Sequence, residues 1–160
     1  MESHSKIAGH PGHTILITFP IGLLTTSLIF DTLGKLGKKP RLTETAFHLI
    51  GAGLLGGLIA APFGWWDWKF IPQGTRAHKI GQLHGAGNAL VLALFGAGWA
   101  TRRGNPEQAS AAALGLSLLG GTLLGATGWL GGEMVDRLGV GVDDGANLDA
   151  PNSLSGEPAQ

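Results

Sequence analysis

Polar residues at helical spacing interrupt a long apolar segment, Arg76–Ala100, in which Arg76, His84 and Asn88 are separated by multiples of four residues. On a helix this spacing keeps the three side chains on one broad face. Because hydrocarbon offers no hydrogen bonds, a polar face on such a helix must turn toward other helices or toward a site. An imidazole in that position could hold a proton, a metal ion or a haem iron.

The other unusual polar residues are expected to gather at the same end of the molecule. His10 and His13 precede the first apolar segment, while Asp67 and Glu133 close the second and the fourth. If the chain crosses a membrane four times, all of them reach the face from which the third segment starts. Beside the histidines we therefore predict a polar network of Asp67, Arg76, Asn88 and Glu133.

Each of these residues also has a purely structural interpretation. His10 and His13 could be interfacial histidines at a helix start. Glu133 could form only an ion pair with Arg76 that holds two helices together. His84 lies about two turns inside its segment and needs a hydrogen-bond partner, which a glycine-exposed carbonyl or a nearby amide would supply.

The composition indicates a membrane protein. Of 160 residues, only 14% are charged, 44% are hydrophobic and 28 are glycine, a combination typical of membrane helices that pack closely. The absence of cysteine excludes disulfides, thiolate-held iron–sulfur clusters and c-type haem attachment. A net charge of zero gives no basic face for nucleic acid.

Four apolar segments, at residues 14–33, 46–63, 78–100 and 111–135, are long enough to cross a bilayer as helices. The predicted fold is an all-α integral membrane four-helix bundle over residues 1–142, followed by an acidic, disordered tail at 143–160. Glycines spaced by four residues predict glycine-rich helix interfaces, with Gly53/Gly57 and Gly128/Gly132 lining close contacts. His48 begins the second span and is expected at the face opposite to the network.

Three stretches together resemble one bacterial family of uncharacterised membrane proteins, the domain of unknown function 2231. They are HPGHTILITFPIGLL, the Asp-Trp pair followed by Arg76, His84 and Asn88, and GWLGGEMVDRLGVGV. The resemblance covers residues 9–142 and implies a four-helix integral membrane protein. The family's first helix usually reads HPxHPxxVHFP, whereas this chain has Thr14 in place of the second proline and Thr18 in place of the third histidine.

Three functions are open. The first is an accessory or anchor subunit of an electron-transfer system that binds haem b through two histidines, with His13, His84 and His10 as candidate ligands. Its weakness is depth, since helical rise puts His84 about 10 Å below His13. The second is an outer-face site for a proton or for a metal such as zinc or copper, formed by His10, His13, His84 and Glu133.

The third function is a structural anchor for membrane or periplasmic partner subunits. Catalysis by the chain itself is not expected, because it contains no nucleophile–base pair, phosphate loop or dinucleotide-binding fingerprint. The lipid bilayer is the one partner that all three functions share.

Basic residues predict the orientation in a bacterial plasma membrane. Their totals on the two sides are nearly equal. The densest cluster, however, lies in the first loop (Lys35, Lys38, Lys39 and Arg41), and the tail behind the fourth span is acidic. Because cytoplasmic loops carry an excess of lysine and arginine, we place loops one and three in the cytoplasm and both termini outside.

A reporter that is active only in the cytoplasm tests this orientation. Fused after the C-terminus, it should give no signal in cells, whereas the same reporter inserted after Gly104 in the third loop should be active. A strong signal from the C-terminal fusion would reverse the topology.

Overall fold

Four long helices form the bundle in the computed structural model, which describes residues 1–155. All four are long and apolar enough to cross a membrane, so the predicted four-helix membrane bundle is confirmed. The first span consists of α1 and α2, and a π-helical turn extends α5. The elements are β1 (Lys6–Ile7), β2 (His10–Pro11), α1 (Gly12–Leu16), α2 (Thr18–Leu36), α3 (Pro40–Lys69), α4 (Arg76–Ala100), α5 (Ala111–Gly132) and the π-helical turn (Glu133–Arg137).

The first span is interrupted at Ile17, between α1 and α2. Pro20 explains the break, because a proline has no N–H for the carbonyl four residues earlier and its ring pushes that carbonyl away. The carbonyl concerned belongs to Leu16, the last residue of α1. Pro20 is buried, with its ring beside Gly56 of α3.

Short connections make sequence neighbours antiparallel, so the bundle consists of two helix pairs. α2 packs along α3, α4 packs along α5, and α3 joins the pairs by its contact with α4. The centre is a cluster of Leu24, Ile50, Val91 and Phe95, which are almost completely buried. Large apolar side chains elsewhere, such as Leu83, are exposed and suit a lipid surrounding.

Several glycines allow the helices to approach one another closely. An added Cβ would lie 2.8 Å from Leu24 at Gly53 and 2.7 Å from Leu92 at Gly57, so the predicted contacts of this glycine pair are confirmed. At Gly120 it would lie 2.9 Å from the ring of Phe95. These positions admit no larger side chain without movement of a neighbour.

The prediction for the Gly128/Gly132 pair is wrong. A Cβ at either residue would meet nothing within 4 Å, and the neighbouring Trp129 is exposed. This pair lies on the outer surface of α5, because the spacing of two glycines says that they share a face but not which face is inward.

A buried ion pair ties three parts of the chain together at the end where α2 meets α3, which we call the lysine end. Asp31 of α2 accepts two hydrogen bonds from the guanidinium of Arg102, at 2.7 and 3.0 Å. Arg102 also donates to the carbonyl of Thr43 on α3, at 2.6 Å. Both charged side chains are 98–99% buried, with exposures of 2% and 1%. This contact fixes the segment after α4 against α2 and α3.

The polar residues before α1 (residues 1–11), which we call the lead, fold against the residues that follow the π-helical turn, beside the other end of the bundle. The amino group of Met1 donates to the carbonyl of Gly139, at 2.9 Å, and Lys6 pairs with Asp143, at 2.6 Å. The hydrogen bond that Lys6 donates to the carboxylate of Asp143 raises the pKa of Lys6 above its usual value. The disordered tail predicted at 143–160 includes residues 156–160, which lie outside the described residues.

Glycine substitutions on one helix test the packing. Gly120→Leu should lower the stability of the protein in detergent by about 1–3 kcal/mol, because the new side chain must displace the ring of Phe95. Gly128→Leu on the same helix should leave stability unchanged or raise it slightly, since a glycine is replaced by a better helix former in open space. Thermal unfolding followed by circular dichroism measures both. Equal destabilisation by the two variants would contradict the assignment of the faces.

The ion pair should show strong coupling between its two members. Arg102→Leu leaves a buried carboxylate without its partner and should cost roughly 3–5 kcal/mol, whereas the double variant Asp31→Leu/Arg102→Leu should recover most of that loss. The control is Arg103→Leu, which removes an adjacent, exposed arginine. Denaturant titration in detergent gives the unfolding free energies. If the double variant is no more stable than the single one, the pair does not act as described.

Candidate functional site

His13 and His84 come together at the end of the bundle opposite to the lysine end, which we call the histidine end. His13 belongs to α1 and His84 to α4, yet their ring centroids are 6.2 Å apart and their planes lie at 83°. The depth difference expected from sequence does not keep them apart, because the interrupted first span places the short helix α1 against α3. Both side chains are half-buried.

Backbone carbonyls orient both rings. The Nδ1 atom of His13 lies 3.0 Å from the carbonyl oxygen of Ala60, and that of His84 lies 2.9 Å from the carbonyl oxygen of Thr127. Because a carbonyl oxygen can only accept, Nδ1 must be the protonated nitrogen in each ring. In the neutral state the lone pair of each imidazole is therefore on Nε2, which is the nitrogen left for a ligand or a proton.

A glycine lies beneath each ring, one helical turn after the carbonyl that holds it. A Cβ added at Gly64 would be 2.7 Å from Cε1 of His13, and one added at Gly131 would be 3.1 Å from Cε1 of His84. The same local arrangement thus occurs twice, once between α1 and α3 and once between α4 and α5. Sequence analysis missed both carbonyls and both glycines, because a backbone acceptor leaves no signal in residue type.

Asn88 and Thr127 extend the hydrogen bonds of His84. The side-chain amide of Asn88 donates from Nδ2 to Nε2 of His84, at 3.0 Å, and Thr127 Oγ1 donates to Asn88 Oδ1, at 2.8 Å. The predicted proximity of His84 and Asn88 follows from their i, i+4 spacing on α4. Since Asn88 donates to Nε2, His84 is neutral in this arrangement. Protonation would require the amide of Asn88 to turn over and present its oxygen.

Arg76 and Glu133 form an ion pair, as their expected proximity suggested, with Nη2 and Oε1 2.6 Å apart. The arginine side chain is 59% exposed, so the pair is only weakly stabilising. Its atoms take no part in the hydrogen bonds of His84. This pair joins the start of α4 to the π-helical turn and stands apart from the histidines.

Asp67 holds the polar lead instead of joining the network. Its carboxylate accepts hydrogen bonds from Ser3 Oγ at 2.7 Å, from the backbone N–H of His4 at 2.7 Å and from Ser5 Oγ at 3.0 Å. These donors precede the first span, so they were not expected at the end of α3. The predicted single network is therefore divided among the histidine pair with Asn88, the Arg76–Glu133 pair and the Asp67 cap.

The four proposed metal ligands are not gathered around one point. His10 is exposed on β2 and lies 3.3 Å from Ser153 Oγ, while Glu133 is paired with Arg76. Within residues 1–155 no three His, Asp or Glu side chains form a group that could hold a metal ion. His13 and His84 are the two proposed ligands that the fold brings together. His48 is exposed beside Phe47, away from this site as expected.

Comparison with known proteins identifies a family but no characterised relative. No curated protein and no solved structure matches the chain. A family model described as "Predicted membrane protein (DUF2231)" matches residues 9–144, which include all four spans and both histidines of the pair. The chain is an integral membrane protein that belongs to this family of predicted membrane proteins.

Proposed function

We propose that this chain is a small accessory subunit of an electron-transfer system in the bacterial plasma membrane, and that it holds haem b between His13 and His84. The observation that carries the proposal is the pairing of these two imidazoles from different helices, with centroids 6.2 Å apart. In a chain without cysteine, facing histidines of a helix bundle are the side chains that could hold a haem iron.

The spacing of the rings suits two nitrogen ligands of one metal atom. Ring centres 6.2 Å apart would allow both imidazoles to reach a single metal atom, since a metal–imidazole bond is about 2 Å long. The two Nδ1–H groups already donate to carbonyls of Ala60 and Thr127. Outer hydrogen bonds of this kind fix the ring orientation and raise the basicity of a metal-bound histidine.

Binding would require a local rearrangement at His84. Its Nε2 accepts the hydrogen bond of Asn88, so the amide must move aside before an iron atom can approach. The bound haem would supply one-electron transfer, and the apolar helices around it would tune its potential. The partner that exchanges the electron would be another membrane or periplasmic subunit.

Proton handling is the second candidate function, and the Asn88–Thr127 chain favours it. A proton that arrives at Nε2 of His84 can be accommodated if Asn88 turns its oxygen toward the ring. Thr127 Oγ1 can then accept from the amide and donate to the carbonyl of Leu124, which already lies 3.1 Å away. The three side chains therefore have a complete set of hydrogen bonds in either protonation state.

Visible absorption of the purified full chain, before and after reduction with dithionite, tests the haem proposal. We expect a Soret band that shifts on reduction and that is lost in His13→Ala and in His84→Ala. The matched control is His48→Ala, which removes an exposed histidine at the other end and should keep the spectrum of the parent. A metal that elemental analysis detects without a Soret band would replace haem by a simpler metal site.

The outcomes separate the candidate functions. If the protein purified from cells supplied with haem has neither a Soret band nor a stoichiometric metal, the haem proposal is wrong. An infrared or NMR titration of His84 that changes in Asn88→Ala would then support proton handling. A silent titration would leave the role of a structural anchor.

A further inference from the structure

The lysine end contains an open pocket of about 380 Å³ that no step of the proposed function uses. The connection between α2 and α3 forms one wall, and the connection between α4 and α5 forms the other. Lys35, Lys38 and Lys39 line the pocket, together with Thr43 and Glu107. The pocket and the histidine pair lie at opposite ends of the bundle, because α2 and α3 run its full length between them.

The pocket carries an excess of positive charge. Three lysines and one acidic residue, Glu107, line it. Within residues 1–155 the three lysines form no ion pair, and Lys35 donates only to the carbonyl of Ala109, at 3.0 Å. Below the pocket, Arg102 is neutralised by Asp31. The ammonium groups are thus available to an anion.

The backbone holds these lysines in a specific turn. Lys39 N–H donates to the carbonyl of Gly34 at 2.8 Å, and Lys38 N–H points to the carbonyl of Lys35 at 3.5 Å, which together cap the end of α2. Lys38 has a φ of 50°, in the left-handed region that favours glycine. The left-handed conformation of Lys38 belongs to this cap and fixes where its side chain leaves the turn. The N-terminus of α3 starts in the same wall and adds a positive dipole.

An exposed apolar stripe on α2 runs toward the pocket. Ile29, Leu33 and Leu36 are 53%, 54% and 78% exposed, and their spacing places them on one face of the helix. Lys35 lies between the last two in sequence. A ligand with an anionic head and apolar chains would match this combination of lysines and leucines.

We propose that the lysine pocket binds the phosphate group of an anionic phospholipid, whose acyl chains lie on the stripe of Ile29, Leu33 and Leu36. Clusters of lysine and arginine directly beyond a membrane helix attract such headgroups, and this cluster includes the neighbouring Arg41. A soluble phosphate compound presents the same chemistry without the chains. The proposal is independent of the haem and proton proposals.

Native mass spectrometry of the full chain in detergent tests this binding. Phosphatidylglycerol should bind in preference to phosphatidylcholine, which has the same chains and no net charge. Each lysine contributes about a fivefold effect. The variant Lys35→Gln/Lys38→Gln/Lys39→Gln should therefore bind phosphatidylglycerol on the order of a hundredfold more weakly. The matched control is Lys69→Gln/Lys79→Gln/Arg137→Gln, which removes the same charge at the histidine end and should bind as the parent does.

Excess inorganic phosphate distinguishes the two sources of the phosphate group. If phosphate fails to displace phosphatidylglycerol, the acyl chains contribute to binding and the ligand is a lipid, as proposed. If inorganic phosphate displaces the lipid completely, the pocket recognises the phosphate group alone, and a soluble phosphate replaces the lipid as the ligand, which overturns the lipid proposal. The proposal is overturned if phosphatidylglycerol shows no preference or if the control loses binding equally. Should the triple variant not fold, Lys38→Gln alone must show the loss of about fivefold.

Discussion

Buried polar groups of this protein have to find their partners within the chain, because the hydrocarbon around the bundle offers none. Apolar contacts cannot specify which helices are neighbours, since lipid tails are as apolar as leucine. Hydrogen bonds and ion pairs between particular helices do specify which helices are neighbours. Asp31 and Arg102 join α2 to the segment after α4 and, through the carbonyl of Thr43, to α3. His13 and His84 join α1 to α3 and α4 to α5 through single carbonyls.

These links differ in which side-chain atoms they leave available for other interactions. The guanidinium of Arg102 forms an ion pair with Asp31, and the carboxylate of Asp67 accepts hydrogen bonds from three donors of the lead. Both hold separate parts of the chain together, although among the described residues Nε of Arg102 is buried without a partner. Each histidine, by contrast, uses Nδ1 for its carbonyl and keeps a lone pair on Nε2, which in His84 accepts a hydrogen bond from Asn88. That asymmetry is the reason for assigning function to the histidines and stability to the stronger ion pair.

The sequence predicted the elements better than the contacts. Long apolar segments identify membrane helices by composition alone, and the i, i+4 spacing was sufficient to place Asn88 beside His84. The ion pair between Arg102 and Asp31 was not predicted, because its two members lie 71 positions apart in the chain. The free-energy cost of placing the carboxylate of Asp31 in lipid was the signal in the sequence that could have indicated a buried partner.

The orientation of a helix about its own axis was the part that sequence could not supply. Gly120 and Gly128 stand in similar apolar surroundings on α5, yet one meets Phe95 and the other meets nothing. Small residues fit an interface and a lipid-facing surface equally well, so their spacing carries no direction. The apolar segment at 46–63 likewise covers only part of α3, which the structure extends to Lys69.

The length of α3 has a consequence for the membrane itself. Its 30 residues extend about 45 Å by helical rise, whereas the hydrocarbon of a bilayer is about 30 Å thick. The helix must tilt or project into the headgroup layer, and the exposed Trp65 and Trp66 mark the level at which it leaves the acyl chains. Hydrophobic mismatch then acts directly on the Asp67 cap, one residue further on. A thicker bilayer brings this carboxylate and its hydrogen-bond donors closer to the acyl chains, and a thinner one leaves them in water.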